Sequence, residues 1–176
     1  MRVTPIEPED WDENVVKAMS VMLSPDRLER RDPGTALATL ARNPKLTRAF
    51  LRFNVYLLFG STLPARVREL AVLRVAHRRG CDYEWTHHVE MGAEVGLSPA
   101  SIEAVTRGEG LDEFDQAVIT AVDELEEKSN MADASWSILS QHLDEPQRMD
   151  FVFTVGCYGL LAMAFNTFGV LPEQEN

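Results

Sequence analysis

The sequence predicts an all-helical protein. Nearly every periodic segment carries its apolar residues at helical spacing, and no run shows the strict alternation of a half-exposed strand. Proline, glycine and asparagine punctuate these segments. At 176 residues and 45% hydrophobic composition the chain can bury one core and needs no second domain.

The first predicted helix covers about Trp11 to Leu23 and ends near Ser24-Pro25, with RLERRDPG from Arg27 to Gly34 read as a solvated bend. A short helix follows Asp32-Pro33, where aspartate can cap and proline can occupy the first turn. Asn43-Pro44 breaks the chain before a helix from Leu46 to Phe59. Pro64 suits the first turn of a helix that runs to Arg79 and is closed by Gly80. Asp82 suits the first turn of the next, which tolerates Gly92 and stops at Gly96. Ser98-Pro99 starts a short helix to about Arg107. Asp112 to Lys128 is longer and amphipathic, with Phe114, Val118, Ala121, Val122 and Leu125 inward and an acidic outer face. Asp133 is expected to cap a helix ending near Leu143. The almost wholly apolar run from Phe151 to Phe168 approaches the length of a membrane span, but Asn166, Thr154, Thr167 and two glycines favour a buried central helix or a subunit interface.

Charge and cysteine content narrow the function classes. A net charge of -11 and a pI near 4.8 repel phosphate backbones and anionic bilayers, so neither nucleic acid nor a membrane is an expected partner. The acidic, proline-containing start MRVTPIEPEDWDE resembles neither a secretory nor a basic targeting peptide, and a cytoplasmic location is expected. Two cysteines, Cys81 and Cys157, do not form a disulfide framework or a metal-ligand grouping, and no HExxH spacing occurs. Glu69, Glu84 and His88 could together offer mixed ligands, yet no metal or other cofactor is expected.

Chemistry concentrates between Glu69 and His88, ELAVLRVAHRRGCDYEWTHH, which holds one thiol, three carboxylates and three imidazoles. Cys81, Glu84 and His88 stand at i, i+3 and i+7 and so share a helix face, with Tyr83 and His87 on a neighbouring one. A cysteine near a helix start with an imidazole in reach can have a lowered thiol pKa, although a small buried packing residue is the alternative. His88 is either a proton donor or acceptor or a satisfied core histidine. Glu84, between Tyr83 and Trp85, would be partly desolvated if it faced inward, raising its pKa towards that of a general acid or base, or else it pairs at the surface. Glu69 lies early in its helix, where a carboxylate is favoured in any case. Arg66, Arg68 and Arg74 are charge partners for these acids. Tyr83, Trp85 and His87 either line a pocket or serve packing and contacts, and His77 is read as solvated.

The stretch LPARVRELAVLRVAHRRGCDYEWTHHVEMGAEVGLS, Leu63 to Ser98, resembles the core of the carboxymuconolactone decarboxylase family, which includes the AhpD-type alkylhydroperoxidases. The likeness extends over most of the chain from about Pro33. It implies an AhpD-like helical domain over residues 33–176, with residues 1–32 a helical extension packed with it as one compact unit. The peroxidase branch carries a glutamate, then eleven residues, then CxxC and a histidine four positions on. Glu69, Cys81 and His88 fit that pattern, while Glu84 occupies the place of the second, peroxide-reducing cysteine. Without that thiol the usual mechanism cannot operate, and Cys81 would need an external thiol or Cys157.

The decarboxylase branch uses acid and base groups without a CxxC pair. By this resemblance His88 is the acid or base, Glu84 orients it or exchanges a proton, Glu69 completes the relay, and Arg74 pairs with a substrate carboxylate. Three functions follow as alternatives: a cofactor-independent lyase or isomerase acting on a small carbonyl or lactone, a thiol-dependent alkylhydroperoxidase using Cys81, and a non-catalytic helical binding or assembly protein. Family likeness also implies a homo-oligomer, trimeric or hexameric.

Overall fold

The computed structural model describes residues 1–173. Among them every regular element is helical, in the order α1 (Glu13–Met19), α2 (Pro25–Arg30), α3 (Thr35–Leu40), α4 (Pro44–Val55), α5 (Ala65–Arg79), α6 (Asp82–Glu94), α7 (Pro99–Arg107), α8 (Glu113–Lys128), α9 (Asp133–His142) and α10 (Glu145–Phe168). The described chain forms two compact units, one of residues 1–60 with residues 165–173, the other Ser61–Ala164. The division falls at Gly60, and the extension expected over residues 1–32 lies wholly inside the first unit.

In the first unit, Asp12 caps α1 by accepting from the amides of Asn14 and Val15, both at 2.9 Å. Trp11, Val15, Ala18, Met19, Leu23, Ala41 and Leu51 form its core. Half of the bend expected over RLERRDPG, Arg27 to Arg30, is instead part of α2. Ser24-Pro25, read as a terminator, holds the N-cap and first helical positions, and Asp26 pairs with Arg30 across one turn at 2.8 Å. The helix expected from Trp11 to Leu23 is accordingly trimmed to Glu13–Met19. α4 starts at Pro44 under the Asn43 cap and runs on into a π-turn over Tyr56–Gly60.

The second unit is built around α5. An unbroken run from Glu69 to Ala76 is buried, which places this helix at the centre rather than on the surface. Gly80, at φ 57°, closes it, and α6 folds back along it. Gly92 permits that approach, since a Cβ there would stand 3.0 Å from Leu97 Cδ1 and 3.4 Å from Leu73 Cδ1. Ser98 and Asp112 cap α7 and α8, whereas Asp133, expected as a cap, is the first residue of α9 behind Ala132. Part of the acidic face of α8 turns to the arginines of α5 rather than to solvent: Arg66 pairs with Asp115, Arg74 with Asp123, Arg78 with Asp123 and Glu127, and Arg79 with Glu126. α10 is long and apolar enough to cross a membrane by length and composition, and half of its most apolar window is buried.

Gly108 shows how tightly this seam is packed. It stands at φ 79°, and a Cβ there would lie 2.8 Å from Arg74 Nη2. That guanidinium cannot swing aside, because it holds both Asp123 oxygens at 2.7 Å and the Val105 carbonyl at 2.6 Å. Gly80 has a similar positive φ but open space where its Cβ would be. Gly80→Ala is therefore expected to cost only the left-handed backbone term, about 1 kcal/mol, and Gly108→Ala about 2–4 kcal/mol because overpacking adds to it. Urea unfolding of the two variants measures the difference, and equal losses would show that Arg74 yields.

Candidate active site

Three helices of the second unit contribute the site. α5 brings Glu69, α6 brings Glu84 and His88, and α10 brings Tyr158, all of them buried. Glu84 and His88 are four residues apart and so face the same way from α6, directly onto the glutamate of α5.

His88 lies between two carboxylates. Its Nδ1 is 2.5 Å from Glu69 Oε2, and its Nε2 is 3.3 Å from Glu84 Oε2. The other Glu69 oxygen accepts from Arg68 Nε at 2.9 Å. Burial opposes charge on the imidazole, but hydrogen bonds to Glu69 and Glu84 and their negative charges outweigh it and raise the His88 pKa to about 9. For Glu69 the same balance runs the other way: burial pushes its pKa up, and the bonds and charges of His88 and Arg68 bring it below the ordinary carboxylate value. The resting state at neutral pH is an imidazolium between two acids, with its tighter bond to Glu69.

This raised pKa has a sign that can be measured. A histidine whose pKa rises on folding stabilises the fold fully below its unfolded value near 6.5, and the contribution is lost as pH climbs through about 9. The pair should therefore supply about 3 kcal/mol at pH 6 that is gone above pH 9. Urea midpoints across that window test this, with His88→Asn as the chain in which the slope should vanish. A flat profile in the native chain would mean His88 is neutral.

Cys81 does not behave as its place at a helix start suggests. It occupies the N-cap of α6, 1% exposed, and its thiol pKa is raised. Burial is the largest cause, and the carboxylates of Glu84 and Asp82 add to it, outweighing the Tyr83 and Glu84 amides that favour thiolate. The expected lowering is thus reversed, and both His88 ring nitrogens face carboxylates instead of the thiol.

The remaining candidates fall elsewhere. Arg74 follows Glu69 by five residues, about 140° round the helix, and its guanidinium is occupied by Asp123 and the carbonyls of Val105 and Thr106. It is a fold residue, not one that awaits a substrate carboxylate. Tyr83 and His87 are half-buried and stack at 4.2 Å between ring centroids, with His87 Nδ1 donating to the Tyr83 carbonyl at 2.8 Å. Trp85 is half-buried and packs towards the exposed His77 at 5.9 Å. As for a metal, both His88 nitrogens are turned to the glutamates rather than to a common ion, and among the described residues no group of three or more His, Cys, Asp or Glu is placed to hold one.

Tyr158 escaped sequence reasoning. Its ring meets His88 edge-on at 5.0 Å and 90°. Burial first, then the charges of Glu84 and Glu69, push its pKa well up, so the phenol keeps its proton. The available signal was a lone phenol in an otherwise apolar run, one turn after Thr154, whose buried hydroxyl has no hydrogen-bond partner.

Residues 44–127 match the carboxymuconolactone decarboxylase family. This is a carboxymuconolactone decarboxylase family segment in an AhpD-like fold. It runs from the start of α4 almost to the end of α8 and contains Glu69, Cys81, Glu84 and His88, while Tyr158 lies beyond it. Solved structures resemble nearly the whole chain. An AhpD-core, peroxidase-related protein from Ralstonia eutropha JMP134 is 17% identical with a TM-score of 0.80, covering 98% of this chain and 92% of its own. A peroxidase-related protein from Silicibacter sp. TM1040 is 15% identical with a TM-score of 0.76, covering 98% and 93%. An Agrobacterium tumefaciens protein of unknown function, associated with AhpD antioxidant defence, is 19% identical with a TM-score of 0.66, covering 76% and 94%. At these identities the likeness is one of fold. No curated protein matches the chain.

Proposed function

We propose that this carboxymuconolactone decarboxylase-like protein is a cofactor-independent acid-base enzyme, a lyase or isomerase acting on a small carbonyl or lactone substrate. The observation that carries it is His88 between Glu69 and Glu84, with its two nitrogens unequally held. The 2.5 Å bond fixes Nδ1 and orients the ring, which leaves the proton on Nε2, facing Glu84 at 3.3 Å, as the one to transfer. In a decarboxylation the bond to the substrate carboxylate breaks, its electron pair moves to the carbon conjugated with the carbonyl, and CO2 leaves. The Nε2 proton of His88 then ends on that carbon, and solvent restores it. In an isomerisation Glu84 takes the proton from one carbon and His88 supplies one at another. Tyr158, protonated and against the imidazole, would then donate a hydrogen bond to charge developing on a carbonyl oxygen.

Thiol chemistry draws less support, because glutamate stands at position 84 and the Cys81 thiol is held towards its neutral form. The experiment is CO2 release from a panel of small β-keto acids and carboxylated lactones, with peroxide consumption under an added thiol run beside it. Cys81→Ser is expected to retain at least a third of native turnover on any lyase substrate found. Peroxide consumption that disappears with Cys81→Ser, in a protein inert to the whole panel, would overturn the acid-base function.

A further inference from the structure

α4 carries charge of the opposite sign to the rest of the chain. From Pro33 to Arg68 there is no aspartate or glutamate, in a protein with 28 acidic residues and a net charge of -11. Within this stretch Arg42 is committed, its Nε donating to the Thr4 carbonyl at 3.0 Å and its Nη2 to the Pro5 carbonyl at 3.1 Å, while Arg66 and Arg68 pair with Asp115 and Glu69. Lys45, Arg48 and Arg52 differ. At i, i+3 and i+7 they share one exposed face of α4, and among the described residues no carboxylate pairs with them. Other exposed bases have an acid four residues away: Lys17 has Glu13, Arg30 has Asp26 and Arg107 has Glu103. On α4 like charges occupy the i,i+3 and i,i+4 positions instead, which weakens a helix, and an anion held among them removes that repulsion.

These side chains also leave room for one. A cleft of about 260 Å³ is lined by Lys45, Arg48, Ala49 and Arg52, and the short alanine keeps the space between the longer side chains open. One turn further on, Phe53 follows Ala49 and Tyr56 follows Arg52 by four residues each, so two rings continue the same face, 38% and 48% exposed. The Tyr56 ring lies against Gly60, where a Cβ would stand 3.1 Å from its Cδ2.

We propose that this face of α4 binds a nucleoside diphosphate, with the phosphates on Lys45, Arg48 and Arg52 and the base against Phe53 and Tyr56. The roughly three negative charges of such a ligand at neutral pH, of which the terminal phosphoryl supplies about -1.5 to -2, match the three cations. Arginine forks suit phosphate oxygens, and an exposed ring offers a stacking surface to any base. Tyr56 lies about 6 Å beyond Arg52 along the helix axis, the span that a ribose fills between phosphate and base. A nucleic acid or an anionic bilayer presents the same phosphates, but its many charges meet the net charge of -11 at long range, so the small anion is the occupant. The site makes no use of His88 and stands apart from the acid-base function.

Equilibrium dialysis of the native chain against ADP and against inorganic pyrophosphate, in low-salt, magnesium-free buffer, tests the proposal. ADP should bind at a single site per chain and roughly tenfold more tightly than pyrophosphate, the gain expected from stacking the base. The double variant Arg48→Gln, Arg52→Gln should weaken ADP binding by about tenfold or more through loss of charge-assisted bonds. Ala49→Leu, which keeps every charge and fills the cleft, should weaken it by about fivefold or more. The comparison of ADP with pyrophosphate uses the native chain alone and stands whether or not a variant folds. No retention of ADP, equal affinity for ADP and pyrophosphate, native ADP affinity in either folded variant, or binding of single-stranded DNA or phosphatidylserine vesicles by a chain that ignores ADP would each overturn it.

Discussion

His88→Asn should lower turnover by roughly 10²- to 10⁴-fold on any substrate the native chain converts, the range that a positioned acid or base contributes. Asparagine can still place an amide where Nδ1 stands, but it ends short of the Nε2 position and cannot carry the proton. The substitution also leaves Glu69 and Glu84 as buried acids without the imidazolium between them, so it lowers stability at neutral pH as well. The two effects are read separately. Urea unfolding reads the stability loss, while turnover of the folded fraction reads the chemistry and stays low if the histidine is the donor. A loss below tenfold in a folded variant would remove His88 from the chemistry.

The largest stability effect is expected at Glu69. This carboxylate is fully buried and divides its oxygens between His88 and Arg68. Glu69→Gln preserves the shape but removes the charge that compensates two cations, and breaking such a buried pair costs about 3–5 kcal/mol. In a chain of this size that is a fall in Tm of about 6–20 °C. The His88 pKa should drop from about 9 towards its ordinary value at the same time, because burial then acts against a single remaining acid. Thermal unfolding and an NMR titration of the imidazole read both. A variant within 1 kcal/mol of native, with His88 still titrating near 9, would show that Glu84 alone holds the charge.

Several local features were legible in the residues because their causes are local. Pro44, Gly80 and Ser98-Pro99 mark real helix ends, since a proline's missing amide, a glycine at positive φ and a capping hydroxyl act within one turn. Ser24-Pro25 shows the limit: the same dipeptide can end one helix or begin another, and here it begins α2. The i, i+4 spacing of Glu84 and His88 likewise makes their shared face readable from residue order, because helix geometry alone brings such positions together.

The state of the site's groups was not readable in the same way. A thiol at a helix start predicts a lowered pKa, yet burial and the carboxylates around Cys81 raise it. Arg74 looks available as one arginine among several on its helix, and only the packing of α5 on α8 commits it to Asp123. Tyr158 is seventy positions from His88 and entered the site solely through the return of α10.

By itself the sequence determined that the chain is helical, where most helices break, and that Glu69, Glu84 and His88 are the groups to watch. Tertiary structure alone decided which nitrogen of His88 meets which carboxylate, that the thiol is held neutral, and that a phenol closes the cluster. Helix periodicity and capping are set by neighbours within a turn or two, whereas a pKa depends on burial and on charges that distant segments bring within a few ångströms.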